Sequence, residues 1–312
     1  MKFLVVGAGA VGGYFGGRLV QKGEDVTFLV RSGRRAQLEQ TGLVIESHAG
    51  NWSAGVKTLV AGEEADAPFD VVLLSVKAYH MGQIVEDLRG YVTEQTVILP
   101  LLNGYGHYET LWQAFGKERV LGGLCFISTT LDAEGRIVHS SPRHDVTFGE
   151  WDGGRTERVE KILEHMSCAG FDVILSENVQ RDVWHKYITI AVISGITTLF
   201  RSSLGPIMAD AHGHATCKKL LAEIVEITRL AGAPTKEDVE EKTYQIVVNS
   251  PFGMKASMLY DMEKGLSVET DHLHGYLLSL AEKHGRTATE FPVLQAVYGV
   301  LRVYEIFIYS SR

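Results

Sequence analysis

Phe3-Leu4-Val5-Val6-Gly7-Ala8-Gly9-Ala10-Val11-Gly12-Gly13 decides how the first half of the chain folds. An apolar run short enough for a buried parallel strand breaks at Gly7, and a helical pattern follows Gly9 through Tyr14, Leu19 and Val20. A Gly-x-Gly-x-x-Gly motif needs this strand, turn and helix before it signifies a dinucleotide site. Gly7 permits the turn, Gly9 keeps side-chain atoms away from a diphosphate, and Gly12 lets the helix lie close to the strand. Residues Gly7, Ala8, Gly9, Ala10, Val11 and Gly12 are therefore the predicted cofactor cradle, with first-turn N–H groups facing the anion. A second strand, residues 25–30, leads to Arg31, where a cofactor with a free ribose 2′-hydroxyl would usually meet an acidic residue. Arg31, with Arg34 and Arg35 just beyond, offers cationic donors to a 2′-phosphate, so NADPH/NADP is favoured over NAD. The alternative is three solvated arginines on a surface loop.

A chain of 312 residues is too long for most single cores and predicts two domains. Its 45% hydrophobic and 22% charged residues are ordinary for a globular enzyme. A net charge of −8 argues against general affinity for nucleic acid or acidic membranes, so a small-molecule partner is expected. Cys125, Cys168 and Cys217 are widely spaced and odd in number, which predicts reduced thiols in a cytoplasmic setting. No targeting segment is expected ahead of the first strand. Residues 187–200, broken by Ser194, Gly195, Thr197 and Thr198, read as too short to cross a bilayer, and a soluble protein is expected.

Residues 43–47 and 56–60 alternate around a polar turn and predict a hairpin or irregular insert. Residues 70–76 are a nearly continuous apolar run, as in a central parallel strand, and end at Lys77. A helix over 81–88 and a strand over 96–102 lead to Asn103-Gly104. In a doubly wound sheet ligands bind beyond the carboxyl ends of the strands, which puts Lys77 and Asn103 on the rim of the glycine turn, although each taken alone reads better as a solvated lysine and as a turn asparagine before glycine. Shorter β segments at 120–127, 136–139 and 145–149, a helix over 155–168 and a strand over 171–175 complete the first domain. Beyond Ser176 the pattern is helical, giving expected domains 1–177 and 178–312.

The helix over 178–200 is apolar on nearly every face in its later half, as a buried helix would be. Lys186 sits near its start, and Ile190 and Ser194 follow at steps of four along the same stripe. Arg201 reads either as a partner for a substrate carboxylate or as a complement to the helix C-terminus. Pro234-Thr235 is expected to begin a later helix, with Asp238 as capping partner. The last helix, from Pro292, carries Val297, Leu301, Tyr304 and Ile308, either core or the contact of a homodimer formed through the helical domain. His212-x-His214 and His272-x-His274 are spaced two apart, so each pair reads as ordinary surface or core histidines and no metal is expected.

These motifs, in this order, resemble the ketopantoate reductase (2-dehydropantoate 2-reductase) family. The likeness rests on residues 7–12 with Arg31, on Ser75-Val76-Lys77-Ala78 and Leu102-Asn103-Gly104, and on Trp184-His185-Lys186, Ser257-Met258-Leu259 and Glu269-Thr270-Asp271. The resemblance implies a Rossmann-type doubly wound α/β domain followed by an all-α domain like the C-terminal domain of 6-phosphogluconate dehydrogenase. It also implies NADPH-dependent reduction of a 2-oxo acid, ketopantoate to pantoate, in pantothenate biosynthesis. By that resemblance Lys186 is the general acid and Glu269 orients lysine and substrate. Ser257 and Asn103 hold the substrate, and Lys77 lines the cofactor and substrate cleft, as does Asn103. Well-studied members carry asparagines where Ile190 and Ser194 stand, so that stretch of the substrate wall is expected to be more apolar here. A sister reductase with another 2-oxo acid substrate, or a non-catalytic NADPH-binding sensor, are the alternatives.

Overall fold

Strand β1 (Lys2–Val6) takes the middle of a sheet because Phe3, Leu4, Val5 and Val6 carry nothing that holds either face in water. In this computed structural model, which describes residues 1–310, the chain splits into two compact units. One comprises residues 1–102 and 107–179, the other residues 103–106 and the described residues from 180 onward.

In the first unit β1 is followed by α1 (Ala10–Lys22), closed by left-handed Gly23, then β2 (Asp25–Leu29) and α2 (Ser32–Thr41). Helix α2 stands where the alternative reading of the arginines had a surface loop. Arg34 to Gln40 are mostly good helix formers, but only Leu38 is buried, so the helix carries no apolar period to read. Next come β3 (Leu43–Ser47), β4 (Trp52–Ala54), β5 (Lys57–Leu59), β6 (Val71–Leu74), α3 (Met81–Leu88) and β7 (Val97–Pro100). The parallel sheet runs β5-β2-β1-β6-β7. The order therefore reverses between β1 and β6, and right-handed crossovers put α1 and α3 on opposite faces. The expected hairpin partner is corrected: β3 pairs antiparallel with β4, while β5 joins the main sheet beside β2. After α4 (Gly106–Phe115) follow β8 (Gly122–Phe126), β9 (Thr129–Leu131), β10 (Ile137–His139), β11 (Asp145–Gly149), α5 (Glu157–Met166) and β12 (Asp172–Leu175). They form two small sheets, β4-β3-β10-β9 and β12-β11-β8.

The second unit is helical: α6 (Val179–Phe200), α7 (Leu204–Ala209), α8 (Ala211–Leu230), α9 (Val239–Val248) and α10 (Ser257–Glu263). A π-helical turn (Asp271–Gly275), α11 (Tyr276–Lys283) and α12 (Pro292–Ser310) complete it. Helix α6, at 22 residues, is long and apolar enough by composition to cross a membrane, contrary to the expectation from residues 187–200. Of its most apolar window 78% is buried inside the protein, the burial of a core helix. Helix α9 starts at Val239 and not at Pro234, with Asp238 in its N-cap position. Val297, Leu301, Tyr304 and Ile308 are core, and the exposed apolar stripe of α12 is Val303, Ile306 and Phe307. Buried Glu223 on α8 accepts from the N–H groups of Val293 and Leu294 (3.3 and 2.8 Å), capping α12 across the bundle.

In the first unit α1 rests on imidazoles. The Tyr14 hydroxyl is bonded to His144 Nδ1 at 2.7 Å and the Ser47 hydroxyl to His139 Nδ1 at 2.8 Å. The His139 ring lies 4.9 Å from that of His144 and 4.7 Å from that of His48. Buried Arg18 stands over the Tyr14 ring and donates to the Gly50 carbonyl. Burial, with His144, His48 and Arg18 beside it, pushes the His139 pKa down to about 4. Burial also lowers His144, against the pull of Asp172 and Asp145. A histidine whose folded pKa is depressed leaves the unfolded chain to bind the proton first, near pH 6.5. Its contribution is thus whole above pH 6.5 and is lost as pH falls towards 4. The unfolding free energy from urea titrations should drop between pH 7 and pH 5, by about 2 kcal/mol for His139 alone, and His139→Gln should lose less over the same interval. An unchanged slope in the variant removes this assignment.

Candidate active site

The glycine turn of the first unit is shaped by close approach. Gly7 has φ +89° and its N–H donates to the Leu29 carbonyl at 3.0 Å. A Cβ on Gly12 would overlap the Ser75 hydroxyl and the Gly7 carbonyl and stand 3.2 Å from Val5, so only glycine fits between β1 and β6. Gly9 is different. It is the N-cap of α1, with no side-chain cap and no acidic residue in the first turn, and a Cβ there would meet nothing within 4 Å. Open space over the N–H groups at the start of α1 (Gly9 to Gly12), which precede the first intrahelical bond from Gly13 to Gly9, suits a diphosphate, so the residues present fit a dinucleotide. Lys77 follows β6 at the point where the strand order reverses.

Arg31 is exposed at the N-cap of α2, with Nη2 3.3 Å from His80 Nδ1. Burial and the Arg31 charge both lower the His80 pKa, which keeps Nδ1 an acceptor. The other two arginines do not share its freedom. Arg34 donates to the Ala8 carbonyl (3.1 Å), the Gly135 carbonyl (3.0 Å) and Gln37, bracing the glycine turn from behind. Arg35 forks onto Glu63, whose carboxyl it holds down at about 2. Of the three basic residues expected to serve a 2′-phosphate, two are committed to the protein.

In the second unit Lys186 is 6% exposed on α6, one turn before half-buried Ile190 and two before Ser194, which is 3% exposed. Glu269 lies two residues ahead of the π turn, half-buried. Three consecutive residues of that segment are tied to other segments of the unit. His272 Nε2 donates to the Asn103 carbonyl at 2.7 Å, and the Leu273 carbonyl accepts from the Tyr187 hydroxyl at 2.5 Å. His274 Nε2 donates to the Ala191 carbonyl at 2.9 Å. Burial pushes the Tyr187 phenol far up, so it remains a donor, and holds His274 at about 4, so it stays neutral. The segments bearing Lys186, Glu269 and Asn103 are thereby joined. Tyr105 strengthens the join, stacking on Trp184 with ring centroids 4.2 Å apart. Ser257 stands at the exposed start of α10. Arg201 does not extend α6; it turns out of it at φ +51° with its guanidinium over the Tyr304 ring.

Spacing alone makes His272 and His274 look like ordinary histidines and does not single out Tyr187. A phenol one residue after Lys186 and an imidazole three residues after Glu269 are the available signals, but the π turn that makes them meet leaves no mark in an apolar period.

Residues 3–153 match the family model described as ketopantoate reductase PanE/ApbA, and residues 178–305 match that of its C terminal domain. The chain is 49% identical over 305 residues to the uncharacterized oxidoreductase YkpB of Bacillus subtilis (strain 168), covering 98% of this chain and 99% of that one. A crystal structure of 2-dehydropantoate 2-reductase from Methylococcus capsulatus superposes with TM-score 0.84 at 27% identity, over 99% of this chain and 98% of that one. The ternary structure of D-mandelate dehydrogenase with NADH and anilino(oxo)acetate shares the fold at TM-score 0.87 and 18% identity, over 99% of this chain and all of that one.

Gly9→Val separates binding from folding at the glycine turn. Its Cβ would enter open space with no protein atom within 4 Å, so the melting temperature should stay within about 2 °C while dinucleotide affinity falls by at least roughly tenfold. Retained affinity, measured by quenching of protein fluorescence, would place the dinucleotide elsewhere.

Proposed function

The chain belongs to the ketopantoate reductase PanE/ApbA family of oxidoreductases, and on that premise we propose that it reduces a 2-oxo acid to the 2-hydroxy acid with NADPH, ketopantoate being the lead substrate and pantoate the product. The observation that carries this reading is the clamp in the second unit, which ties the segments of buried Lys186, Glu269 and Asn103 to one another.

Bound at the glycine turn, NADPH supplies hydride for the carbonyl carbon. Gly7 to Gly12 would hold its diphosphate, Arg31 its 2′-phosphate and Lys77 the rim beyond β6. As the carbonyl oxygen gains charge, the Lys186 ammonium donates a proton to it, and the neutral amine regains one from water after product leaves. Glu269 orients lysine and substrate, and the amide of Asn103 and hydroxyl of Ser257 fix the substrate's polar groups. A second substrate reading is favoured by Ile190. An apolar side chain one turn after the lysine suits a 2-oxo acid with a bulkier apolar tail, such as phenylglyoxylate, the oxo form of the substrate after which D-mandelate dehydrogenase is named.

Lys186→Ala should lower kcat by about 10²- to 10⁴-fold while NADPH affinity holds. Undiminished turnover would reject the general acid, and no turnover by the wild-type protein of ketopantoate, phenylglyoxylate or a panel of 2-oxo acids would favour a binding protein. Whichever oxo acid is used fastest names the substrate.

Arg31→Ala tests the coenzyme. Losing charge-assisted bonds to a phosphate should raise the NADPH KM by roughly ten- to a hundredfold and leave the NADH KM within about threefold. Equal effects on both coenzymes would remove the 2′-phosphate assignment.

A further inference from the structure

Two histidines follow Glu269 within five residues, and they are used differently. His274 is wholly inside the bundle, whereas His272 is half-buried and reaches the turn that carries Asn103. A carbonyl oxygen only accepts, so the 2.7 Å contact to Asn103 requires the proton on Nε2 of His272. Burial favours the neutral ring, opposed by the Glu269 carboxylate and the Asn103 carbonyl. The neighbouring glycine is part of the same fit. Gly104 has φ +86°, and a Cβ there would stand 2.8 Å from His272 Nε2 and 3.2 Å from Leu273. Gly104 therefore serves both the left-handed turn and the close seating of the imidazole.

The π turn explains why the ring arrives there. Opening the helix to i→i+5 bonding inserts one residue and rotates the side chains that follow. With His274 and the Leu273 carbonyl anchored to α6, the remaining side chain, His272, is delivered to Asn103.

We infer that His272 is a positioning residue of the reductase site: by holding the Asn103 carbonyl it fixes the Asn103–Gly104 turn relative to Glu269 and so sets where the Asn103 amide meets the substrate. This rests on the proposed substrate role of Asn103. In this role His272 acts through the Asn103 carbonyl, so its effect falls on substrate binding and not on hydride transfer.

The test compares wild type with His272→Phe, His272→Gln, Asn103→Ala and the double variant His272→Phe/Asn103→Ala. Steady-state kinetics use ketopantoate, or phenylglyoxylate where that is the better substrate. His272→Phe should raise the oxo-acid KM about tenfold with kcat within about threefold and NADPH affinity unchanged, the loss of one oriented hydrogen bond. His272→Gln, whose amide N–H can reach the same carbonyl, should recover most of that loss. The double variant should be no worse than Asn103→Ala alone, because both changes remove one function. Amide exchange across residues 103–106 in the substrate-free protein should quicken in His272→Phe and not in His272→Gln. If Asn103→Ala raises KM and His272→Phe does not, or if the two effects add, the inference about His272 is overturned while the substrate role of Asn103 stands. If Asn103→Ala leaves KM unchanged, that role falls, and the positioning role falls with it.

Discussion

The π turn at Asp271–Gly275 is the constraint on which the arrangement of the second unit depends. A π turn spoils the regular bonding ladder, and a buried carbonyl without a donor costs about 1–3 kcal/mol, so it persists only where something outside the helix compensates. Here the Tyr187 hydroxyl takes the Leu273 carbonyl, while His272 and His274 extend donors to carbonyls of two other segments. Space had to be left for both rings. A Cβ on Gly195 would lie 3.0 Å from His274 Nε2, and one on Gly104 would lie nearer still to His272. Two glycines, two histidines and one tyrosine are thus one solution to a single bonding problem, and Lys186 and Glu269 are the neighbours of that solution in sequence.

The first unit shows the opposite use of backbone polarity. At its glycine turn the donors are left open, and the protein spends its side chains on the other side of the loop. Arg34 gathers the Ala8 and Gly135 carbonyls, a role for which burial, which lowers its pKa, is tolerable because guanidinium stays charged far above neutrality. With the Ala8 carbonyl held by Arg34, the space over Gly9 is left to N–H groups, the surface an anion needs. Arg35 is neutralised by Glu63, which leaves Arg31 as the exposed cation of the three.

Where short-range pattern and burial coincide, the sequence was enough. The run from Phe3 to Gly13, the apolar strand before Lys77 and the helix around Lys186 were legible because each is a nearly unbroken apolar stretch whose length and flanking residues separate a buried strand from a buried helix. Helix α2 was not, since a helix with one buried residue has no period. The partner of β3 was hidden because β4 and β5 are both three residues long and pairing is decided by distant strands: β10 alongside β3, β2 alongside β5. Of the candidate site, Lys186, Glu269 and Asn103 were picked out by motif. What joins them was not visible, because an inserted residue in a helix changes which side chains meet without changing composition. Counting arginines after β2 likewise could not show that two of the three were engaged.

On the proposed reaction, recognition and chemistry separate along α6. The staples at Tyr187 and Ala191 fall on either side of Ile190, so the helix that presents Lys186 is held by its own backbone and by a neighbour's, independently of what Ile190 is. The side chain of Ser194 is equally uninvolved in that anchoring. Its carbonyl receives the Thr198 hydroxyl at 2.6 Å inside the helix, and the residue is buried. An isoleucine one turn after the lysine would make that wall less polar, which would strengthen the lysine's hold on a developing alkoxide, but it offers no hydrogen bond by which one substrate is told from another. Selection along that wall then works by fit, about 1–3 kcal/mol per methylene, in place of the larger discrimination an amide could impose on a substrate lacking its hydroxyl. A reductase built this way keeps its acid and its hydride geometry while the length and branching of the oxo acid's tail decide which substrate it prefers.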